Sequence, residues 1–285
     1  MLKKKKKFKI KFRKRDIPLI IFFVIGVLLV TYPFASELVN KLQYHTINRT
    51  FDEGAKKIPK KEVDERFKLA EFYNDALINP NISDPFTRKN HEKGIKEYAR
   101  MLQVKETMGY VEIPKINQSV PIYAGTNEDI LQIGAGHLEF TSLPTGGKGN
   151  HCVITAHSGL PKAKLFTDIH KLKKGDIFII NNIKESLAYE VDSIVTVLPT
   201  DFSRLYRYPG RDYCTLLTCT PYMINTHRLL VRGERTDLKK AKKKAKINKL
   251  LYYLKLAAII IAIVLVILFI KKKIEKYITG NKKGK

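Results

Sequence analysis

Two apolar segments constrain most strongly what this chain of 285 residues can fold into. Residues 17–36 contain no charged side chain, and residues 250–270 contain only Lys255. A helix of about 20 residues, rising about 1.5 Å per residue, spans the hydrocarbon core of a bilayer. We therefore expect two membrane spans, with the intervening part of the chain folded outside the bilayer.

Each apolar segment has an alternative interpretation. A basic leader before an apolar run is also typical of a cleaved signal peptide, although the best cleavage site, Pro33-Phe34-Ala35, lacks a small residue at its first position. The second segment could be a buried core helix, but three consecutive lysines follow it, as at a headgroup layer. We favour two retained spans.

The net charge of +26 belongs mainly to the two ends of the chain. Residues 1–16 carry +9 and residues 235–285 carry +14, which leaves only +3 between them. This distribution does not indicate a nucleic-acid-binding domain. It favours membrane lipid as the electrostatic partner, with anionic cell-wall polymers as a further candidate.

The same charges predict the orientation in the membrane. The lysine-rich leader favours a cytoplasmic N-terminus, so the domain after the first span would be extracellular. The second span has basic flanks on both sides, at residues 236–249 and 271–285, so its orientation follows from the even number of spans. We expect a cell-membrane protein with both termini in the cytoplasm.

The extracellular part divides into a helical and a β-rich region. Apolar residues recur at helical spacing over 37–108, interrupted near Pro59 and by the Pro- and Asn-rich loop 79–90. From Gly109 to Arg235, short β-branched runs alternate with turn residues, which predicts an antiparallel-rich barrel or sandwich. The predicted order is a leader 1–16, a span 17–36, a helical region 37–108, a β domain 109–235, a basic linker 236–249, a span 250–270 and a tail 271–285.

Cys219 lies in the stretch YCTLLTCTP, which holds two of the three cysteines. Pro221 cannot donate a backbone hydrogen bond to a sheet, so the strand is predicted to end there, with Cys219 at its mouth. A cysteine in this position can be a nucleophile, half of a disulfide or a buried thiol. Position alone leaves these alternatives open.

His157 is the best partner for a reactive thiol, which needs a base or a cation nearby because the thiolate is the nucleophile. Among the seven histidines, it alone ends an apolar β run, CVITAH, and a Ser-Gly turn follows it. His157 therefore has the same strand-mouth position as Cys219. The glycine-rich contexts of His137 and His151 are typical of turn or surface imidazoles.

Arg228 begins the run RLLVRG, nine residues after Cys219. The loop between them can return the chain so that Arg228 stands beside Cys219 on the neighbouring strand. A guanidinium there could hold a carbonyl or stabilise an oxyanion, although a lone strand arginine is more often part of a surface ion pair.

No Cys or His spacing indicates a metal site and no glycine loop indicates a phosphate site, so no cofactor is predicted.

These residues carry a family resemblance. TLLTCTP with Arg228 downstream, and ITAH with its turn, resemble the signature of sortases, and within them the class C, pilin-polymerising group. GYVEIPKI and NTHRLLVRG extend the resemblance over nearly the whole exported segment. It implies a mainly β fold: an eight-stranded sortase β-barrel with N-terminal helices and a lid loop, flanked by two transmembrane helices.

The resemblance also implies a cysteine transpeptidase. Cys219 would attack the Thr-Gly bond of an LPxTG-type sorting signal and form a thioacyl intermediate, His157 would act first as acid and then as base, and Arg228 would position the signal. The implied partners are pilin proteins that carry such a signal and an acceptor lysine.

Class C members have an Asp-Pro-aromatic motif on a lid over the active site, and SDPFTRKN resembles it. By this resemblance Asp84 would pair with Arg228, and Phe86, after Pro85, would cover Cys219. The alternative is that Asp84 caps the next helix, with Pro85 in its first turn.

Cys152 and Cys214 each lie five residues upstream of a proposed active-site residue. In the sortase barrel the strands that end in the histidine and the cysteine are neighbours, so these two thiols could lie level. They could form a disulfide or remain a pair of buried thiols.

Three other functions stay open. A sortase that attaches proteins to the cell wall would share these residues. A peptidoglycan L,D-transpeptidase also uses cysteine and histidine, but the spacing of Arg228 and the TCTP context disfavour it. The non-enzyme alternative is a membrane-tethered structural subunit of a surface assembly.

Overall fold

The computed structural model, which describes residues 17–77 and 100–280, is a closed β-barrel with long helices towards both ends of the chain. The predicted mainly β fold with eight strands is confirmed. The strands are β1 Thr107–Ile113, β2 Gln118–Ala124, β3 Ala135–His137, β4 Asn150–Thr155, β5 Ile177–Asn181, β6 Ser186–Val197, β7 Asp212–Thr220 and β8 His227–Arg235. The helices are α1 Ile17–Ala55, α2 Lys60–Ala76, α3 Glu128–Leu131 and α4 Leu238–Gly280.

The strands close in the order β1-β2-β3-β4-β7-β8-β6-β5. Most neighbours are antiparallel, as predicted, but β2 pairs with β3 and β4 pairs with β7 in parallel. A parallel pair cannot be joined by a tight turn, and the chain between β4 and β7 forms β5 and β6. As a result β1, β4 and β7 all run in the same direction and finish at one end of the barrel, which we name the β4/β7 end.

The barrel interior is filled by alternate residues of the strands, because successive side chains in a strand point to opposite faces. Phe178 and Tyr189 are fully buried and stack with ring centroids 5.5 Å apart. Gly233 on β8 lies against them: a β-carbon there would be 2.7 Å from the Phe178 ring. Each fully buried large apolar side chain contributes roughly 1.5–3 kcal/mol.

Helix α1 continues without a break beyond the apolar segment and packs on the barrel. Its residues Tyr44 and Phe51 are buried, and Asn48 donates to Ser119 Oγ at 2.9 Å. The interruption predicted near Pro59 is present, since α1 ends at Ala55 and α2 begins at Lys60. The predicted helical region runs to 108, but β1 already begins at Thr107.

The basic segment 236–249, read from sequence as a linker, is helical from Leu238 and docks on the barrel as the first part of α4. Ala241 is fully buried in a cluster with Ile177 and Ala188. Glu190 on β6 accepts hydrogen bonds from two α4 lysines, Lys240 and Lys244, each at 3.1 Å. Both α1 and α4 are long and apolar enough to cross a membrane, and their apolar stretches are not buried in the protein.

Candidate active site

Cys219 and Arg228 lie directly opposite each other on antiparallel strands. Cys219 is the penultimate residue of β7, Arg228 is the second residue of β8, and the two are register partners. Both are 6% exposed. The arginine is therefore not a surface residue, and the predicted cross-strand placement beside the thiol is found.

His157 reaches the same place from β4. The parallel register aligns Thr155 with Leu217, and Ala156 extends it by donating its N–H to the Leu217 carbonyl at 3.2 Å. The Ala156 carbonyl also accepts a hydrogen bond from Thr218 Oγ1 at 2.7 Å. His157 is the next residue along the chain, so it lies at the end of the barrel where Cys219 also lies. The three predicted residues thus meet at the β4/β7 end of the barrel.

The Arg228 guanidinium is fixed by two backbone carbonyls, one in the β7–β8 loop and one at the first residue of β8. Its Nη1 donates to the Asn225 carbonyl at 2.9 Å and to the His227 carbonyl at 3.1 Å. A guanidinium is always charged and presents its donors in a rigid fork. The loop therefore holds a permanent positive charge beside the thiol, where it can stabilise a negatively charged oxygen.

Glu128 is a neighbour of His157 that the sequence analysis missed. Its Oε1 lies 3.2 Å from His157 Nε2, and it is the first residue of the short helix α3. The carboxylate side chain is 65% exposed, so the pair is worth about 0–1 kcal/mol. No motif near Glu128 marks it, because only the fold brings α3 to the end of β4.

Comparisons with known proteins agree with this geometry. A Sortase domain model matches residues 111–236. The structure of Streptococcus pneumoniae sortase C is 54% identical in sequence, with a TM-score of 0.63, and the match covers 67% of this chain and 97% of that one. The chain belongs to the sortase family.

Other relatives support the same assignment. A pilus-related sortase C of Group B Streptococcus is 55% identical, with a TM-score of 0.65, over 67% of this chain and 98% of that one. Sortase A of Bacillus anthracis is 29% identical over 141 residues, which is 50% of this chain and 65% of the relative. The chain therefore spans slightly less than two thirds of that curated relative. The predicted resemblance to class C sortases is confirmed, and sortases are cysteine transpeptidases.

The lid motif of the sequence analysis, Asp84, Pro85 and Phe86, lies outside the described residues. Its assignment stays a prediction. Among residues 17–77 and 100–280, no group of His, Cys, Asp and Glu side chains could hold a metal ion.

The sortase also has a pair of cysteines inside the barrel. Cys152 and Cys214 are register partners on β4 and β7, and the structure has thiols joined by a hydrogen bond there rather than the disulfide considered from sequence. Burial raises the pKa of Cys152, but hydrogen bonds with Cys214 and His137 outweigh it and lower that pKa to about 6. Burial raises the pKa of Cys214 well above its usual value.

This interior cysteine–histidine pair does not qualify as the reactive site. Cys152 is 3% exposed in the middle of β4, and His137, the last residue of β3, is fully buried. A peptide could not reach Cys152 without opening the barrel. Cys219 lies at the mouth of the barrel, so position rather than thiol acidity distinguishes the two.

The interpretation of His137 and His151 as turn or surface imidazoles was wrong, because both are fully buried in strands. His151 Nδ1 lies 2.8 Å from the Tyr206 carbonyl, to which it must donate, and Nε2 accepts from Thr215 Oγ1 at 2.7 Å. Both ring nitrogens are thus satisfied in the neutral form. Burial lowers the pKa of His151 to about 4.

This pKa predicts a loss of stability on acidification. The unfolded chain protonates His151 near pH 6.5, whereas the folded chain does not until about pH 4, so the free energy of unfolding falls as pH decreases between these values. One proton contributes about 1.4 kcal/mol per pH unit. We expect chemical denaturation of the full chain in detergent to show this slope.

The matched control is His151→Gln, which keeps hydrogen-bonding capacity but cannot titrate. Its unfolding free energy should depend less steeply on pH over the same window, by up to one proton. Equal slopes in the two proteins would exclude His151 as the source.

Proposed function

We propose that this chain is a membrane-anchored class C sortase that joins pilin subunits through isopeptide bonds. The observation that carries the proposal is the meeting of Cys219, Arg228 and His157 at one end of the barrel. The S. pneumoniae relative is described in terms of pilin substrate specificity, and the Group B Streptococcus relative as pilus-related. These descriptions favour pilin substrates over single cell-wall attachment.

In the first half-reaction the Cys219 thiolate attacks the threonine carbonyl of an LPxTG-type sorting signal. The C–S bond forms, and the carbonyl oxygen takes up negative charge. When this tetrahedral intermediate collapses, the bond to the glycine nitrogen breaks, and His157 donates a proton to the departing amine. The products are a thioacyl group on Cys219 and a free glycine amine.

In the second half-reaction a lysine amine of the next pilin attacks the thioacyl carbon. His157, now neutral, accepts a proton from the attacking amine, and the Cys219 thiolate leaves. The new bond is an amide between the threonine carbonyl and the lysine side chain. Atoms and charge balance without a cofactor.

Arg228 faces the charge that develops in both half-reactions. Its carbonyl anchors fix the guanidinium before substrate arrives, so little reorganisation is needed in the transition state. Lysine could supply the charge but not the fork of donors. We therefore expect stabilisation of the oxyanion to depend on arginine at this position.

Membrane anchoring is supported by α1 and α4, which have the length and composition of spans. We propose that both cross the cell membrane, with the barrel outside and both termini in the cytoplasm, as the basic leader predicts.

Substitutions at the three site residues test the proposal. In cells that express a pilin, Cys219→Ala should abolish the ladder of covalent pilin multimers. Arg228→Ala should lower kcat/KM for a sorting peptide by about 10²–10³, which is the usual loss for one oxyanion donor. The kcat/KM of Arg228→Lys should lie between the values of Arg228→Ala and the parent protein.

Cys214→Ala is the matched control, since it removes a cysteine from the same strand but not from the mouth of the barrel. Cells with this variant should still form the ladder of pilin multimers. A ladder in the Cys219→Ala strain would refute the proposal and support a structural subunit. Single wall-linked adducts in place of ladders would assign the wall-anchoring function.

The lid belongs to the same proposal and rests on the resemblance of Asp84, Pro85 and Phe86 to the class C motif. An aromatic ring over Cys219 would slow its reaction with a thiol reagent. We expect Phe86→Ala and Asp84→Ala to label severalfold faster than the parent protein.

Two controls make the labelling specific. Cys219→Ala gives the background from other thiols, and Phe72→Ala removes an aromatic residue that is 59% exposed on α2. Unchanged rates in both lid variants would contradict the lid assignment while leaving the transpeptidase assignment intact.

A further inference from the structure

Helix α1 leaves the barrel at the β4/β7 end. The apolar segment ends at Ser36, whose Oγ donates to the Lys162 carbonyl at 2.6 Å. One residue on, Glu37 accepts from Gln118 Nε2 at 2.9 Å, at the start of β2, and from the Lys164 N–H at 3.3 Å. Lys162 and Lys164 belong to the loop that follows His157. The first span therefore emerges next to the active-site loop.

Helix α4 leaves at the same end. Lys249 and Tyr253, at the start of the second apolar segment, line a cleft of about 790 Å³ together with Pro114 and Asn117. These last two residues belong to the turn between β1 and β2, which lies where β1 finishes. Both spans thus depart from the end of the barrel that carries Cys219.

The side chains that line the cleft between the two helices are suited to contact with lipid headgroups. Two acidic side chains, Asp52 and Glu112, line it. They are outnumbered by five basic or histidine side chains: Lys41, His45, Arg49, Lys246 and Lys249. A tyrosine and lysines at the end of an apolar helix are typical of the membrane–water interface.

An apolar tip projects from this end beyond the thiol. Tyr222, Met223 and Ile224, in the loop between β7 and β8, are 62%, 65% and 67% exposed. The tip lies against the loop that contacts α1, since a β-carbon at Gly159 would be 3.4 Å from both Tyr222 and Met223. Consecutive exposed apolar side chains mark an interaction surface.

The tip is held in place by its own backbone. The N–H groups of Ile224 and Asn225 donate to the Pro221 carbonyl at 3.1 and 2.9 Å, and Arg228 binds the Asn225 carbonyl. The exposed side chains are therefore presented by an ordered loop that is joined directly to the site.

We propose that the β4/β7 end of the barrel rests on the bilayer, with Tyr222, Met223 and Ile224 inserted at the membrane interface. The inference rests on the membrane anchoring in the proposed function. Interfacial side chains of this kind reach about 5–10 Å into the headgroup and acyl boundary. With two spans fixing the barrel from the same end, the tip adds a third point of attachment, and Cys219 faces the membrane surface from which an anchored substrate would present its cleavage site.

Tryptophan fluorescence tests this geometry because the chain contains no tryptophan. Tyr222→Trp introduces a single probe in the tip, and Ile224→Trp is a second variant in case the first fails to fold. The full chain is reconstituted in nanodiscs whose lipids are brominated near the headgroup end of the acyl chain. Quenching is measured against unbrominated nanodiscs.

Two matched tryptophan variants set the scale. Phe22→Trp, in the first apolar segment and 81% exposed in the structure, reports whether the span lies in lipid. Phe72→Trp reports an exposed aromatic on α2, a helix that packs through Asn74 onto Leu143 and Thr145 at the opposite end of the barrel. We expect quenching at the tip to exceed that at position 72 by roughly threefold or more.

The outcomes separate the two proposals. Quenching at position 22 without quenching at either tip position would overturn the membrane contact but keep the anchor. Absence of quenching at position 22 would overturn the anchor, and the contact with it. If the tip is unquenched and Tyr222→Trp lowers turnover of a soluble sorting peptide, the surface binds substrate instead of lipid.

Discussion

The parallel pairing of β4 and β7 is the constraint on which the site depends. Cys219 and Arg228 are nine residues apart and can meet through a single loop. His157 is 62 residues before Cys219, so no single loop can bring the two together. Only the crossover that closes the barrel, with Ala156 bound to Leu217 and Thr218, aligns the two strand ends. The chemistry is therefore a consequence of barrel closure.

The barrel holds two cysteine–histidine arrangements with opposite properties, one where β4 lies beside β7 and one where β3 lies beside β4. At the mouth, Cys219 lies beside an anchored guanidinium and a partly exposed imidazole. In the interior, Cys152 has a lowered pKa but is sealed in by the strands. A low pKa makes a thiolate available, yet a thiolate that no substrate can approach takes no part in acyl transfer. Accessibility, set by where a residue falls along its strand, decides the assignment.

The sequence allowed the mouth residues to be predicted because their signals are local. Pro221 ends a strand, alternation positions Arg228 and a turn follows His157. It misled on His137 and His151, since flanking glycines are typical of turns while burial depends on which strands pair. The parallel partner of β4 was available only through the family resemblance. No sequence pattern indicates Glu128. None indicates the docking of 238–249 either, because lysines that bind Glu190 look like lysines in a solvated linker.

Formation of the acyl group on Cys219 can be observed in a mass spectrum. The full chain in detergent is mixed with a sorting peptide, quenched with acid and digested for peptide mapping. We expect one added mass, equal to the peptide up to its threonine, on the fragment that contains Cys219. The same mass on Cys152 or on any other residue would contradict this expectation.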